Sequence, residues 1–320
     1  MVDEPDPQVQ AVLEFLSQST IGRLQGRGLA VSSAREAMGR AFEQGPDEPV
    51  GAVEQFEIEG PDGSIPVRLY LPEDGDGDDG DDRSLVVYYH GGGFVLGDLD
   101  SADGVCRRLV NEASCVVCSV DYRLAPEHPF PAGFEDAYAA AEWASEQADA
   151  LRVNRDKIAV AGDSAGGNFA AAVALAARDR DGPDLAHQFL IYPAVRSPVQ
   201  PVTESMENAE GYLLDADAME WFDEQYHVRP SDARNEYAHP LLARDLSDLP
   251  PATVVTAGFD PLRDEGIAYA DRLSEDGVSV EHRDYEAMVH GFADMLGVVD
   301  TTDEFFAYAG ERLRSAFEGE

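Results

Sequence analysis

From about residue 84 onward, short apolar runs alternate with stretches of helical periodicity. The runs at 85–89, 115–120, 158–161, 189–192, 253–257 and 278–285 have the length and composition of buried strands. The segments 101–111, 134–148, 166–179, 264–275 and 303–317 place their apolar residues at helical spacing, and 134–148 is alanine-rich as a packed crossover helix should be. This alternation predicts an α/β fold: a mostly parallel sheet with helices on both faces. Upstream, 53–59 and 65–71 alternate as a hairpin joined through Pro61-Asp62-Gly63, which would add antiparallel strands at one edge.

Two regions stand outside the alternation. One is the first 45 residues, with helical patterns near 8–16 and 32–42; the other is about 195–235, with a helix expected over 215–226. Segments of this kind are candidates for a cap, the alternative being peripheral decoration. The expected organisation is an N-terminal helical cap segment (1–45) on a catalytic domain (46–320), with a cap insertion at about 195–235. No internal repeat is apparent.

Charge narrows the range of partners. With 63 acidic against 23 basic residues the net charge is -40, so nucleic acid and anionic membrane would both be repelled. Lys157 is the only lysine. Acidity spread along the chain with almost no lysine resembles proteins of organisms that keep molar salt in their cytoplasm, which makes a halophile the expected source. No stretch approaches the roughly 18 apolar residues of a membrane span. The N-terminal residues Met1, Val2, Asp3 and Glu4 carry no positive leader, so the expected location is cytoplasmic. The acidic run 73–82 reads as a solvated loop; it lacks the spacing and closing glutamate of a calcium loop. Cys115 and Cys118 lie three apart on an expected strand, on opposite faces and roughly 10 Å apart, so they read as core residues with Cys106, not as a disulfide or metal site. No metal is expected.

The candidate chemistry sits where strands end. Gly162-Asp163-Ser164-Ala165-Gly166-Gly167 follows the strand at 158–161 and precedes an alanine-rich helix, the strand-turn-helix context of a nucleophile elbow at Ser164. His90-Gly91-Gly92-Gly93 follows the strand at 85–89. Its glycines let backbone N–H groups converge on one point, so Gly92 and Gly93, with Ala165 behind the nucleophile, are the expected oxyanion hole. His90 is assigned to shaping that loop. A phosphate loop is the rival reading, but the motif has no P-loop lysine and no helix starts directly behind it. Asp260 and His290 each follow a later strand, in the chain order serine, acid, histidine. Asp264 competes as the acid, but occupies a helix first turn, where acids commonly serve the helix end. His282 lies within a strand, and His239 precedes the acid.

Together with Asp260-Pro261-Leu262-Arg263-Asp264-Glu265-Gly266, His290-Gly291-Phe292 and the Asp121–His128 stretch, these motifs resemble the hormone-sensitive lipase family of microbial carboxylesterases, from about residue 50 to the C-terminus. The resemblance implies an α/β-hydrolase fold, a cap built partly from N-terminal helices, no cofactor, and hydrolysis of short- to medium-chain esters through an acyl-enzyme on Ser164. The expected partner is a small-molecule ester. Homo-oligomerisation is left open. Two other readings share the fold: an amidase or peptidase on the same triad, and a ligand-binding protein similar to the plant gibberellin receptors, in which the catalytic histidine position is altered whereas His290 is retained here.

Overall fold

The computed structural model describes residues 2–18, 30–42, 48–73 and 82–319. Its strands are β1 (Ala52–Gly60), β2 (Gly63–Leu71), β3 (Arg83–Tyr89), β4 (Val116–Val120), β5 (Val153–Asp163), β6 (His187–Ile191), β7 (Ala252–Phe259) and β8 (Val280–Val289). They form one sheet in the order β1-β2-β4-β3-β5-β6-β7-β8. The strands from β3 to β8 pair in parallel, and the predicted hairpin joins them antiparallel through β2 and β4. The hairpin closes at Gly60↔Gly63 around Pro61 and Asp62, as its turn residues require.

Strand pleating divides the core in two. Leu85, Val87 and Tyr89 of β3 face one apolar cluster, and Val86 and Tyr88 face the other. On the first face lie α4 (Ala132–Glu146), α6 (Ala165–Asp179) and α8 (Arg263–Glu275). On the second lie α3 (Asp103–Ala113) and α9 (Asp300–Glu318). Two further N-terminal helices are α1 (Pro7–Gln18), with Val9 in the second cluster, and α2 (Val31–Phe42), with Val31 against the first. The short α5 (Ala148–Leu151) leads into β5, and α7 (Ala216–Tyr226), capped by Asp215 accepting from Ala218 N at 2.7 Å, adds Tyr226 to the first cluster. Cys118 faces the first cluster and Cys115 the second. All three cysteines are buried and free, and burial pushes the thiols of Cys115 and Cys118 up to about 12, so they stay protonated and inert.

The alanines of α6 let it lie close against the sheet. A side chain at Gly166 would run into the Tyr89 carbonyl, and Phe169 packs edge-on against Tyr89, Phe94 and Tyr122. Burying such a ring contributes about 1.5–3 kcal/mol.

Strand lengths exceed the apolar runs most at two points. β5 begins five residues early, because Val153 pairs with Arg83 across a register shift from the Leu85–Ile158 pair. β8 continues to Val289, where a second shift pairs it with Phe259. That pairing matters for chemistry, since Asp260 and His290 are the next residues on their two strands. Of the acidic run, 74–81 lie outside the described residues, as do 19–29 and 43–47 of the N-terminal segment; Asp82 binds Lys157 Nζ at 2.7 Å. Among the described residues no helix is long and apolar enough to cross a membrane.

Candidate active site

Ser164 is the single residue between the end of β5 and the start of α6, at φ 53°, ψ -114°. A non-glycine residue adopts this conformation only when its surroundings impose it. They do: Ser164 N donates to Ile191 O at 2.9 Å, and Ser164 O accepts from Asn168 N at 3.0 Å and Ala194 N at 3.1 Å. The turn thereby lifts Oγ above the carboxyl end of the sheet.

His290 Nε2 lies 3.0 Å from Ser164 Oγ, and its Nδ1 lies 2.8 Å from Asp260 Oδ2. Asp260 is fully buried, and its other oxygen accepts from Leu262 N at 2.8 Å, which leaves the carboxylate one orientation. With Nδ1–H directed at Asp260, the Nε2 lone pair is free to take the serine proton. Burial opposes charging His290, but the Asp260 carboxylate, aided by Asp163 and Glu265, outweighs it, so the imidazole protonates above its ordinary range.

The other candidates have other partners, although His239 also lines the cavity that holds Ser164. Asp264 accepts from Ser205 N at 2.7 Å, His282 Nε2 meets Thr256 Oγ1 at 2.9 Å, and His239 Nε2 meets His227 Nε2 at 2.9 Å. The His90 loop and Ala165 line the same cavity as Ser164. Gly92 has φ 115°, a conformation closed to residues with a side chain, and the amides of Gly92, Gly93 and Ala165 donate to no acceptor among the described residues.

A family model described as alpha/beta hydrolase fold matches residues 86–294. The chain belongs to that family. It is 42% identical over 281 residues to Esterase LipI of Mycobacterium tuberculosis, covering 86% of this chain and 87% of that protein. It is 38% identical over 275 residues to an arylesterase of Saccharolobus solfataricus, covering 85% and 86%. Among solved structures, a hyperthermophilic esterase from the archaeon Pyrobaculum calidifontis matches with a TM-score of 0.90 at 43% identity, over 98% of each chain.

In this α/β-hydrolase, three supports around the site were not assigned from sequence. Asp163 Oδ1 accepts from Gly91 N at 2.8 Å and from Tyr88 Oη at 2.7 Å, tying the glycine loop to the residue before Ser164. Tyr122, from the 121–128 motif, donates to His90 O at 2.6 Å and stacks on the His90 ring at 4.3 Å. His90 is thus held as loop structure; burial lowers it to about 4, so it is neutral near pH 7. Glu265 Oε1 accepts from Val195 N at 2.8 Å and Arg196 N at 3.0 Å, which fixes the chain after β6; burial pushes its carboxyl up to about 7. The only sequence hint of these was that Asp163, Tyr122 and Glu265 sit within the quoted motifs.

The cavity over Ser164 measures about 1090 Å³. Val12 and Leu16 of α1, Met38 of α2, and Met219 and Phe222 of α7 line it. Phe222 lies so close over Gly93 that a side chain at that glycine would collide with the ring. Arg35 of α2 donates from Nε to Val95 O at 2.9 Å and from Nη2 to Ala125 O at 2.9 Å, and pairs with Glu127 at 2.8 Å.

Proposed function

We propose that this chain is a serine carboxylic ester hydrolase in which Ser164 is the nucleophile, His290 the general base, Asp260 the acid that orients the base, and Gly92, Gly93 and Ala165 the oxyanion hole. The observation that carries the reading is the continuous chain from Ser164 Oγ to His290 Nε2 and from His290 Nδ1 to Asp260, at 3.0 and 2.8 Å, inside one cavity. The esterase names of its relatives and structural neighbours support the same chemistry.

His290 takes the Ser164 proton as Oγ adds to the ester carbonyl, and the imidazolium formed is stabilised by Asp260. The three unspent amides receive the negative charge of the tetrahedral oxygen, where one donor is worth about 3 kcal/mol. Collapse breaks the bond to the alcohol oxygen, which leaves with the proton from His290. Water, deprotonated by His290, then adds to the acyl-enzyme, and collapse returns the proton to Ser164 and releases the acid.

In this reading the N-terminal segment 1–45 and the insertion at 195–235 form the cap, since α1, α2 and α7 line the cavity. The chain is a member of the hormone-sensitive lipase group acting on short- to medium-chain esters, in the salt-rich cytoplasm of a halophile. The test is a panel of p-nitrophenyl esters of increasing acyl length with the wild type and Ser164→Ala. Hydrolysis should peak at medium chains and vanish in the variant, with circular dichroism unchanged. More than a few per cent residual activity in Ser164→Ala would sink the assignment. Faster turnover of an amide than of its ester analogue would favour the amidase reading.

A further inference from the structure

The turn that carries Asp260 is held from outside by the inserted segment. Helix α8 starts at Arg263, and no side chain caps it at Leu262. The first amides of a helix have no intrahelical partner and must find an acceptor elsewhere. Ser205 supplies one from 59 residues upstream, in a single 3-10 turn (Glu204–Asn208) of the 195–235 insertion. Its Oγ accepts from Asp264 N at 3.3 Å and donates to Pro261 O at 2.8 Å, and its own N donates to Asp264 Oδ2 at 2.7 Å. Serine and acid thus serve each other's amides as in a capping box, but between two distant segments.

The same segment meets the strands that end in the acid and the base. Asn208 Nδ2 donates to Gly258 O at 3.2 Å, the Tyr212 ring lies 5.3 Å from that of Phe259, and Leu213 packs over Gly291. Gly258 marks the register shift between β7 and β8: Ala257 pairs with Tyr285 and Phe259 with Val289, so residues 286–288 of β8 pass over one residue of β7. A side chain at Gly258 would run into the Glu286 carbonyl. Regular ladder pairing is interrupted here, one step before Asp260 and His290, so contacts from outside the sheet help to set their spacing.

Ser205 is 5% exposed, and Asp260 and Pro261 are buried. With Thr203 Oγ1 at 3.2 Å, every donor and acceptor position of its hydroxyl is used. Without that hydroxyl the buried Pro261 carbonyl and the Asp264 amide lose their partner, and the turn must shift to recover one. We propose that Ser205 is a positioning residue for the reaction: by capping α8 from the insertion it holds Asp260 against His290. The proposal rests on the ester-hydrolase reading, which makes Asp260 and His290 the acid and the base. Three carboxyl groups face His290 and favour its charged form: Asp260 on the turn after β7, Glu265 on α8 and Asp163 on β5. Two of the three stand on the turn and helix that Ser205 caps, so loosening that cap lowers the His290 pKa.

The test reads that pKa directly, by NMR titration of the His290 ring proton, identified as the resonance missing in His290→Ala. In Ser205→Ala it should fall by about one unit. For a p-nitrophenyl ester, kcat should drop about 10-fold while KM stays within about twofold. Asp264→Ala should repeat both effects. Asp264→Asn keeps an oxygen for Ser205 N and should stay close to the wild type. Circular dichroism checks the fold, and where Ser205→Ala did not fold, Asp264→Ala would decide by the same readouts. A variant that melts earlier but keeps the His290 pKa within about 0.2 unit and kcat within about twofold would make Ser205 a brace of the fold only and overturn the proposal. Equal losses in Asp264→Asn and Asp264→Ala would also overturn it, because the charge of Asp264 would then be acting instead of its contact with Ser205. If the wild type hydrolysed no p-nitrophenyl ester, the ester-hydrolase reading would fail, and the NMR titration would still decide whether Ser205 positions Asp260.

Discussion

Replacing Asp260 by Asn removes one charge from the buried chain that links it to His290 and Ser164. In the wild type burial disfavours the charged form of the imidazole, while Asp260, 2.8 Å from Nδ1, favours it most among three carboxyl groups, Asp163 and Glu265 being the others, and together they win. Activity needs neutral His290, so kcat/KM is present above the His290 pKa and lost as pH falls through it. That acid limb should therefore lie above the ordinary histidine value of about 6.5 in the wild type. Without the carboxylate burial is opposed only by the more distant Asp163 and Glu265, and the limb should move to lower pH. The rate should drop as well. With charge centres roughly 4 Å apart and an effective dielectric near 20, the lost stabilisation of the imidazolium is about 4 kcal/mol, or about 3 decades in kcat. An Asn side chain can also turn its NH₂ toward Nδ1, placing the imidazole proton on Nε2 where it blocks the base. The assay is a pH profile of p-nitrophenyl ester hydrolysis for both proteins. If the variant kept more than about a tenth of the activity, or its acid limb stayed where the wild type has it, Asp260 would not be the group that sets the state of His290.

Tyr122→Phe removes the donor to His90 O. The buried carbonyl left behind should cost about 1–3 kcal/mol of stability in denaturant titration, and the loosened glycine loop should lower kcat more than it raises KM. Deleting residues 1–45 takes away α1 and α2 with the Arg35 contacts to Val95 and Ala125, and should broaden acyl-length specificity or cause aggregation on the exposed apolar wall; a truncated protein with unchanged specificity and solubility would show that the segment is not a cap. For a sphere of about 25 Å radius bearing the net charge of -40, self-repulsion falls by about 25 kcal/mol between 0.1 and 1 M salt, an upper bound because the unfolded chain repels itself too. Activity and helical circular dichroism should therefore fall together on dialysis from molar KCl to about 0.1 M, and full activity at low salt would mean that arginine ion pairs such as Arg123–Asp136 already offset the repulsion.

The parallel sheet was legible in the sequence because its strands are buried on both faces and stand out as apolar runs. The first half of β5 did not stand out, since Asn154, Arg155, Asp156 and Lys157 are polar and are held beside β3 by the Val153–Arg83 pairing and by Asp82, which accepts from Asn154 and Lys157. β8 was misjudged at both ends for a related reason: as an edge strand it buries little over residues 281–283, so no apolar rhythm marks its limits. Ser164, Asp260 and His290, which the structure brings within hydrogen-bond distance of one another, were singled out by their positions after strands, which is a local signal plus an order. The supports at Asp163, Tyr122 and Glu265 act across 72, 32 and 70 residues of chain, and no local pattern encodes such contacts. The N-terminal helices lay between these cases: their apolar faces could be seen, but not the cavity they line.

Lys157 has a practical meaning that follows from its place on β5. It carries the chain's only side-chain amine, and about 20 Å of extended strand separates it from Asp163 at the other end, where the cavity begins. Chemistry aimed at lysine side chains therefore meets one point, at the sheet end opposite the pocket. Coupled to a resin or an electrode through that amine, every molecule would be mounted in the same orientation with its mouth toward the solution. The coupling would release Asp82 from its 2.7 Å contact and touch nothing that handles the substrate.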